Sequence, residues 1–335
     1  SNLYSARIIE HLKKRKSLIL ALSFFTIFFA SYTVIKQTTT LLFVFALYQF
    51  MLALFVLDIG LYVKHYSNLK ELGTNSGKMG SIGNLGWLVG PLLGGLIADK
   101  YGFNAVFLTS SAVSLIALFT FFFIRFEKEE VHFIHARPFA ENIGLFWSDP
   151  NLRRTYINNA GLGFIYSIWD MLPILMLKIG ATLPIIGITK TLMGATQSIF
   201  EFPIGRMADE ETGERKIFIV GYILAAVFTL LLGLTTDLHW FITFFFIAST
   251  GTSFLEMTRD SYFYKQMPEN EVELISVYRT SDTLPYLIGQ ALAIFTISVL
   301  KIEWWFIIGG LISLLFVINA QKLKNISNQH GNLNK

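Results

Sequence analysis

Asp170 and Lys190 stand inside long apolar runs of this 335-residue sequence, as do Glu201, Glu256, Arg259 and Asp282. A charge in such a run is costly unless it faces a partner or water, so each is a candidate for ion pairing, proton transfer or ligand contact. Glu256 and Arg259 are spaced i, i+3, which places both on one face of a helix. With Glu201, Asp282, Asp58 and Arg279 they gather toward one end of their runs, a pattern that predicts a gate of breakable ion pairs in which one carboxylate carries a proton. For Asp58 and Arg279 the plainer alternative is a position at the lipid headgroups. Asp170 and Lys190 sit toward the other end, roughly 8–11 Å deep at the helical rise per residue. They can pair across adjacent helices and, with Tyr166 and Trp169 as an aromatic wall, line the path of a small molecule. Alternatively, Lys190 snorkels to the interface and Asp170 meets a local partner.

Other chemistries find little support. The sequence has no Cys, which removes thiolate ligands, Cys nucleophiles and disulfides. His132 and His135 lack a Glu at metalloprotease spacing and read as a solvated pair, so neither a metal nor a cofactor is expected. There is no phosphate-cradling loop and no nucleophile–base constellation, which argues against an enzyme. The aromatic residues are not interleaved with basic ones, so nucleic acid is not an expected partner.

The elements that must position these residues follow from composition. Apolar side chains make up 53% of the chain and charged ones 15%, against about a quarter charged in soluble proteins. Runs of roughly 20 apolar residues suit a bilayer. Ten spans are expected, at 17–36, 40–63, 79–98, 103–124, 154–177, 185–207, 216–235, 239–262, 274–299 and 302–321. They must be helices, because lipid cannot satisfy an open backbone and the alternation of a barrel strand is missing. One side of these spans collects 22 of the 27 Lys and Arg residues. Lys36, Lys100, Lys178 and Lys301 fall on the other side and Lys190 within a span, so the first side, with both termini, is expected to be cytoplasmic. The hydrophilic stretch 125–153 reads as a connector between a bundle at 1–124 and a six-helix bundle with tail at 154–335.

Two motifs carry a resemblance. Gly77-x8-Gly86-x3-Gly90-Pro91-x2-Gly94-Gly95 clears one helix face for close approach, and Pro91 favours a kink. It resembles the antiporter motif of the fifth helix in drug/proton antiporters of the major facilitator superfamily, and residues 98–107 resemble the outer turn that follows it. Gly205-x3-Asp209-x3-Gly213-x-Arg215-Lys216 resembles the family's loop between helices eight and nine, a gate latch. Lys14-Arg-Lys-Ser-Leu18 matches only the basic end of the corresponding first-half motif, and Gln49 stands near the position where many such antiporters carry Arg.

The resemblance implies an all-α major facilitator fold of two bundles, with ten of twelve helices present and the first two missing. It also implies a monomer in the cell membrane that moves a small molecule by alternating access, through proton-coupled efflux of amphipathic, drug-like compounds. Uptake of a sugar, peptide or organic anion, and a non-transporting scaffold, are the alternatives.

Overall fold

In the computed structural model, which describes residues 14–65, 72–124, 139–209, 213–267 and 274–324, the apolar runs are helices. Helices close their backbone hydrogen bonds internally, which lipid requires. They group into two compact units: one holds residues up to 136 except 87–92, and the other holds 87–92 with everything from 137 onward.

The first unit contains α1 (Lys14–Ser31), α2 (Thr38–His65), α3 (Leu72–Tyr101) apart from residues 87–92, and α4 (Phe103–Phe123). Helix α1 packs against α2 and α4. Phe28 stacks on Tyr48 with ring centroids 4.4 Å apart, and Phe25 meets Phe55 edge-on at 5.5 Å. The Ser111 hydroxyl donates to the Thr26 carbonyl at 2.8 Å, tying α4 to α1. Between α3 and α4 the chain turns at Gly102, whose φ of 80° is in the left-handed region that glycine tolerates. A methyl placed on Gly86, Gly90 or Gly94 would find no described atom within 4 Å.

The second unit comprises α5 (Phe139–Ser148), α6 (Pro150–Trp169), α7 (Leu172–Lys178), α8 (Leu183–Asp209), α9 (Glu214–Leu234), α10 (Leu238–Gln266), α11 (Leu274–Tyr278), α12 (Thr280–Val299) and α13 (Ile302–Ala320). Helix α9 packs on α10 and α13, α6 on α12, and α8 on α10. Small residues set these crossings. A methyl on Gly251 of α10 would lie 2.6 Å from the Gly221 carbonyl of α9, and one on Gly163 of α6 would lie 2.6 Å from the Asp282 carbonyl of α12. Without a hydrophobic drive between helices in lipid, such close backbone approach supplies the packing.

Five expected spans match α2, α4, α8, α9 and α13 within two residues at each end. Three features differ from the expectation. The 154–177 span is two helices, α6 and α7, parted at Asp170 and Met171, and the 274–299 span is parted at Arg279. The connector holds α5, whose Phe146 is fully buried and lies 6.2 Å from Phe263 and 5.9 Å from Tyr156, centroid to centroid. Of Ser148-Asp149-Pro150, expected in that connector, Ser148 ends α5, while Asp149 caps and Pro150 begins α6. The Asp149 carboxylate accepts from the Asn151 amide at 2.7 Å, and Pro150 occupies the first turn, where its missing N–H costs nothing.

Seven helical stretches among the described residues are long and apolar enough to cross a bilayer: Thr38–Val56, Phe103–Phe123, Pro150–Lys178, Glu214–Leu234, Leu238–Gln266, Thr280–Val299 and Ile302–Ala320. Helices α1, α3 and α8 occupy the other three expected spans but are more polar. Lys14, Arg15 and Lys16 open α1, and α3 is rich in Gly, Ser and Asn.

Candidate functional site

Within the second unit, charged side chains away from the helix ends lie on α8 and α10, with Asp170 at the break that ends α6 and Asp282 in the first turn of α12, facing Arg259 of α10. Helices α9 and α13 keep theirs in the first turn, as Glu214, Arg215 and Lys216 and as Glu303. Four helices therefore share one polar seam. Asn159, Tyr166 and Asp170 recur at i, i+7 and i+11 along α6, and Asp282, Tyr286 and Gln290 at i, i+4 and i+8 along α12, spacings that keep each set on one helix face.

The largest group on this seam is built around Arg259, toward the expected cytoplasmic end. Its guanidinium pairs with Glu256 at 2.7 Å, one turn back on α10, and with Asp282 of α12. Asp260 stands 4.0 Å away and pairs in turn with Arg279 at 3.1 Å. Asn159 of α6 joins the group from both ends of its amide. Its oxygen accepts from Arg259 at 3.1 Å, and its nitrogen donates to Ser281 at 2.7 Å and Asp282 at 3.0 Å. Glu256 also accepts the Tyr166 hydroxyl at 3.0 Å, and Gln197 of α8 donates to that hydroxyl at 3.3 Å. The Arg259 side chain is only 15% exposed, so its desolvation must be offset by these partners. Three carboxylates, Glu256, Asp260 and Asp282, face two guanidiniums, Arg259 and Arg279. The group is thus one positive charge short of balance.

Two backbone features fix this geometry. Glycine at 163 lets α12 lie close enough for Asp282 to reach Asn159. Tyr278 stacks flat on Phe263 with centroids 3.9 Å apart and donates its hydroxyl to the Arg259 carbonyl at 3.2 Å. Phe146 of α5 packs in the same aromatic cluster.

At the other end of the seam, Asp170 and Lys190 do not pair with each other within 4.0 Å. Asp170 accepts from Gln290 at 2.7 Å and from the Tyr286 hydroxyl, both on α12. The Lys190 ammonium donates to the Trp169 carbonyl at 2.8 Å. Pro173 explains that bond. It stands four residues beyond Trp169 and has no N–H, so the Trp169 carbonyl lacks its helical donor and Lys190 replaces it. Trp169 itself does not form a wall. Its ring is buried in the core, where its N–H donates to Thr229 at 2.9 Å.

Of the other expected residues, Asp58 is fully buried in the first unit. Arg215 and Lys216 are exposed beside Gly213, which opens α9 with a φ of 69°. Between them and that glycine, Glu214 is buried and pairs with Lys265 at 2.9 Å. The side chains of Glu201 and Asp209, and the surroundings of Gly77 and Gly205, lie outside what the structure describes. Asn159, Gln197, Asp260, Ser281, Tyr286 and Gln290 were missed by the sequence reading. Their i, i+4 and i, i+7 recurrence was the available signal. No group of three or more His, Asp and Glu among the described residues is arranged to hold a metal.

Comparison with known proteins gives a consistent picture. The family model described as "Major Facilitator Superfamily" matches residues 1–172 and 161–326. An uncharacterized MFS-type transporter of Methanocaldococcus jannaschii is 28% identical over 135 residues, 40% of this chain and 34% of that relative. The chain therefore aligns with about a third of that protein's length. A bacterial homolog of the human lysosomal transporter Spinster, solved inward-facing and occupied, superposes with a TM-score of 0.69 at 12% identity, covering 96% of this chain and 82% of its own. A POT family transporter in complex with a thioalcohol-conjugated peptide gives 0.76 at 14% identity, covering 95% and 83%.

Proposed function

Because the chain belongs to the major facilitator superfamily, a family of multi-pass membrane transporters, we propose that it carries a small molecule across the bilayer by alternating access, coupled to protons, in the direction of efflux. The observation that carries this reading is the Arg259 group. It stands one positive charge short of balance inside the membrane region, and a proton on one carboxylate would restore it. Glu256 is the best placed to take that proton. It is the least exposed of the three carboxylates, and it touches both Arg259 and the Tyr166–Gln197 pair. Protonating it would weaken its pair with Arg259 within α10 and leave that guanidinium to Asp282 of α12 and Asn159 of α6, changing the balance of bonds that join α10 to those helices, as a gate requires. The complete glycine–proline motif of α3 favours export, and its resemblance to that of drug/proton antiporters favours an amphipathic, drug-like cargo.

Uptake of a sugar, peptide or organic anion is the second reading, favoured by Gln49. That residue is exposed on α2 where the antiporter resemblance expects Arg. Proton flux from liposomes carrying the purified protein, with lipophilic cations and small nutrients offered in turn, separates the readings. Export predicts flux with a lipophilic cation, at least tenfold lower in Glu256→Gln. Flux with nutrients alone favours uptake, and silence from folded protein favours a scaffold and defeats the transport reading.

A further inference from the structure

The charged pair at the far end of the seam is arranged as two separate half-sites. Both donors to Asp170 act on the same oxygen, Oδ2, so Oδ1 has no described partner, and the residue is exposed. Lys190 has a single described acceptor, the Trp169 carbonyl, which leaves two of its three N–H bonds to give. That carbonyl belongs to the residue preceding Asp170. The two charges are therefore brought near each other without forming an ion pair. Each is held in place by neutral groups, the carboxylate by a phenol and an amide and the ammonium by a backbone carbonyl. Such holding orients them without neutralising them.

We propose that Asp170 and Lys190 form a two-point site for a zwitterion, a small molecule carrying an ammonium group for Asp170 and a carboxylate for Lys190. The inference rests on the alternating-access part of the transport reading and not on its choice of a drug-like cargo. An alternating-access cycle passes through a state in which the ligand is shut away from water. A ligand bearing only a cation would then meet the Lys190 charge unscreened, and a ligand bearing only an anion would meet Asp170. A neutral ligand would leave both charges desolvated and unpaired, which is unfavourable in a dry site. A zwitterion satisfies both at once. Without ligand, a modest rotation of either side chain lets Asp170 and Lys190 pair with each other, which would permit the empty carrier to return.

The test is equilibrium binding to the purified protein in nanodiscs, using a panel of amino acids and di- and tripeptides. Each is matched with an amine lacking the carboxylate and an acid lacking the amine. At least one zwitterion is expected to bind tenfold or more tightly than either of its counterparts. Asp170→Asn should remove the preference over the acid and Lys190→Gln the preference over the amine, while Lys190→Arg keeps both. Thermal unfolding of each variant confirms that it is folded. Equal binding of a zwitterion and its amine, or no binding of any zwitterion to folded protein, overturns the site. Flux measured in liposomes separates the two readings. Binding without flux sinks the transport reading alone, and lipophilic-cation flux without zwitterion binding sinks this site alone.

Discussion

The two helical units share a composition but not a way of packing. In the first, the span windows of Thr38–Val56 and Phe103–Phe123 are 6% and 0% buried within the protein, whereas Pro150–Lys178 and Glu214–Leu234 in the second reach 61% and 50%. Glycines divide the same way, with open space around Gly86 and Gly94 of the first unit and backbone contact at Gly163, Gly221 and Gly251 of the second. Glycine spacing in a membrane helix thus marks a face that can be approached, and only the neighbour decides whether it is. The second unit adds what the first lacks among its described residues, a network of ion pairs joining several helices.

The strongest way to break that contrast is to remove its central cation. Arg259→Met should destabilise the protein by roughly 3–5 kcal/mol, because three carboxylates then lose their shared partner in a poorly solvated place. Thermal unfolding in detergent reads this, and an unchanged midpoint would mean that water already screens the group. Next in size is a steric comparison. Gly163→Val should cost about 1–3 kcal/mol, since its side chain meets the Asp282 carbonyl on rigid backbone. Gly94→Ala should change stability by no more than about 1 kcal/mol, in the stabilising direction, because alanine is the better helix former and no described atom stands in its way. Equal losses at the two sites would show that the first unit packs as tightly as the second. The smallest effect is expected at Lys178 and Glu303, paired at 2.6 Å but 46% and 27% exposed. Glu303→Gln should shift stability by less than about 1 kcal/mol, and less again at high salt.

Much of this fold was legible because lipid imposes a length and a composition on every span. Phe103–Phe123 has no charged residue and declares itself. Helix α5 is only ten residues long and disappears into a window built for spans twice its length, although Phe139, Ile143 and Phe146 recur at helical spacing. In the site, charge was visible and its neutral partners were not. Glu256, Arg259 and Asp282 are conspicuous in apolar surroundings and do come together. Asn159 and Gln290 are unremarkable as residue types, so only the folded chain reveals that they hold Asp282 and Asp170. The partner of Lys190 was misjudged for a different reason. Charge attracts attention to Asp170, while the acceptor that Lys190 uses is a carbonyl exposed by a proline four residues along the chain.

That last bond has a consequence for how the sequence can drift over generations. Lys190 is tolerated within its span partly because Pro173 has left a carbonyl open for it, and the proline is tolerated partly because the lysine fills the gap. Neither change is neutral on the other's background, so the two positions are historically contingent on each other. In a library of random variants, Pro173→Ala should restore the helical bond and turn Lys190 from a helpful residue into a harmful one, and the double change should survive better than either single change predicts.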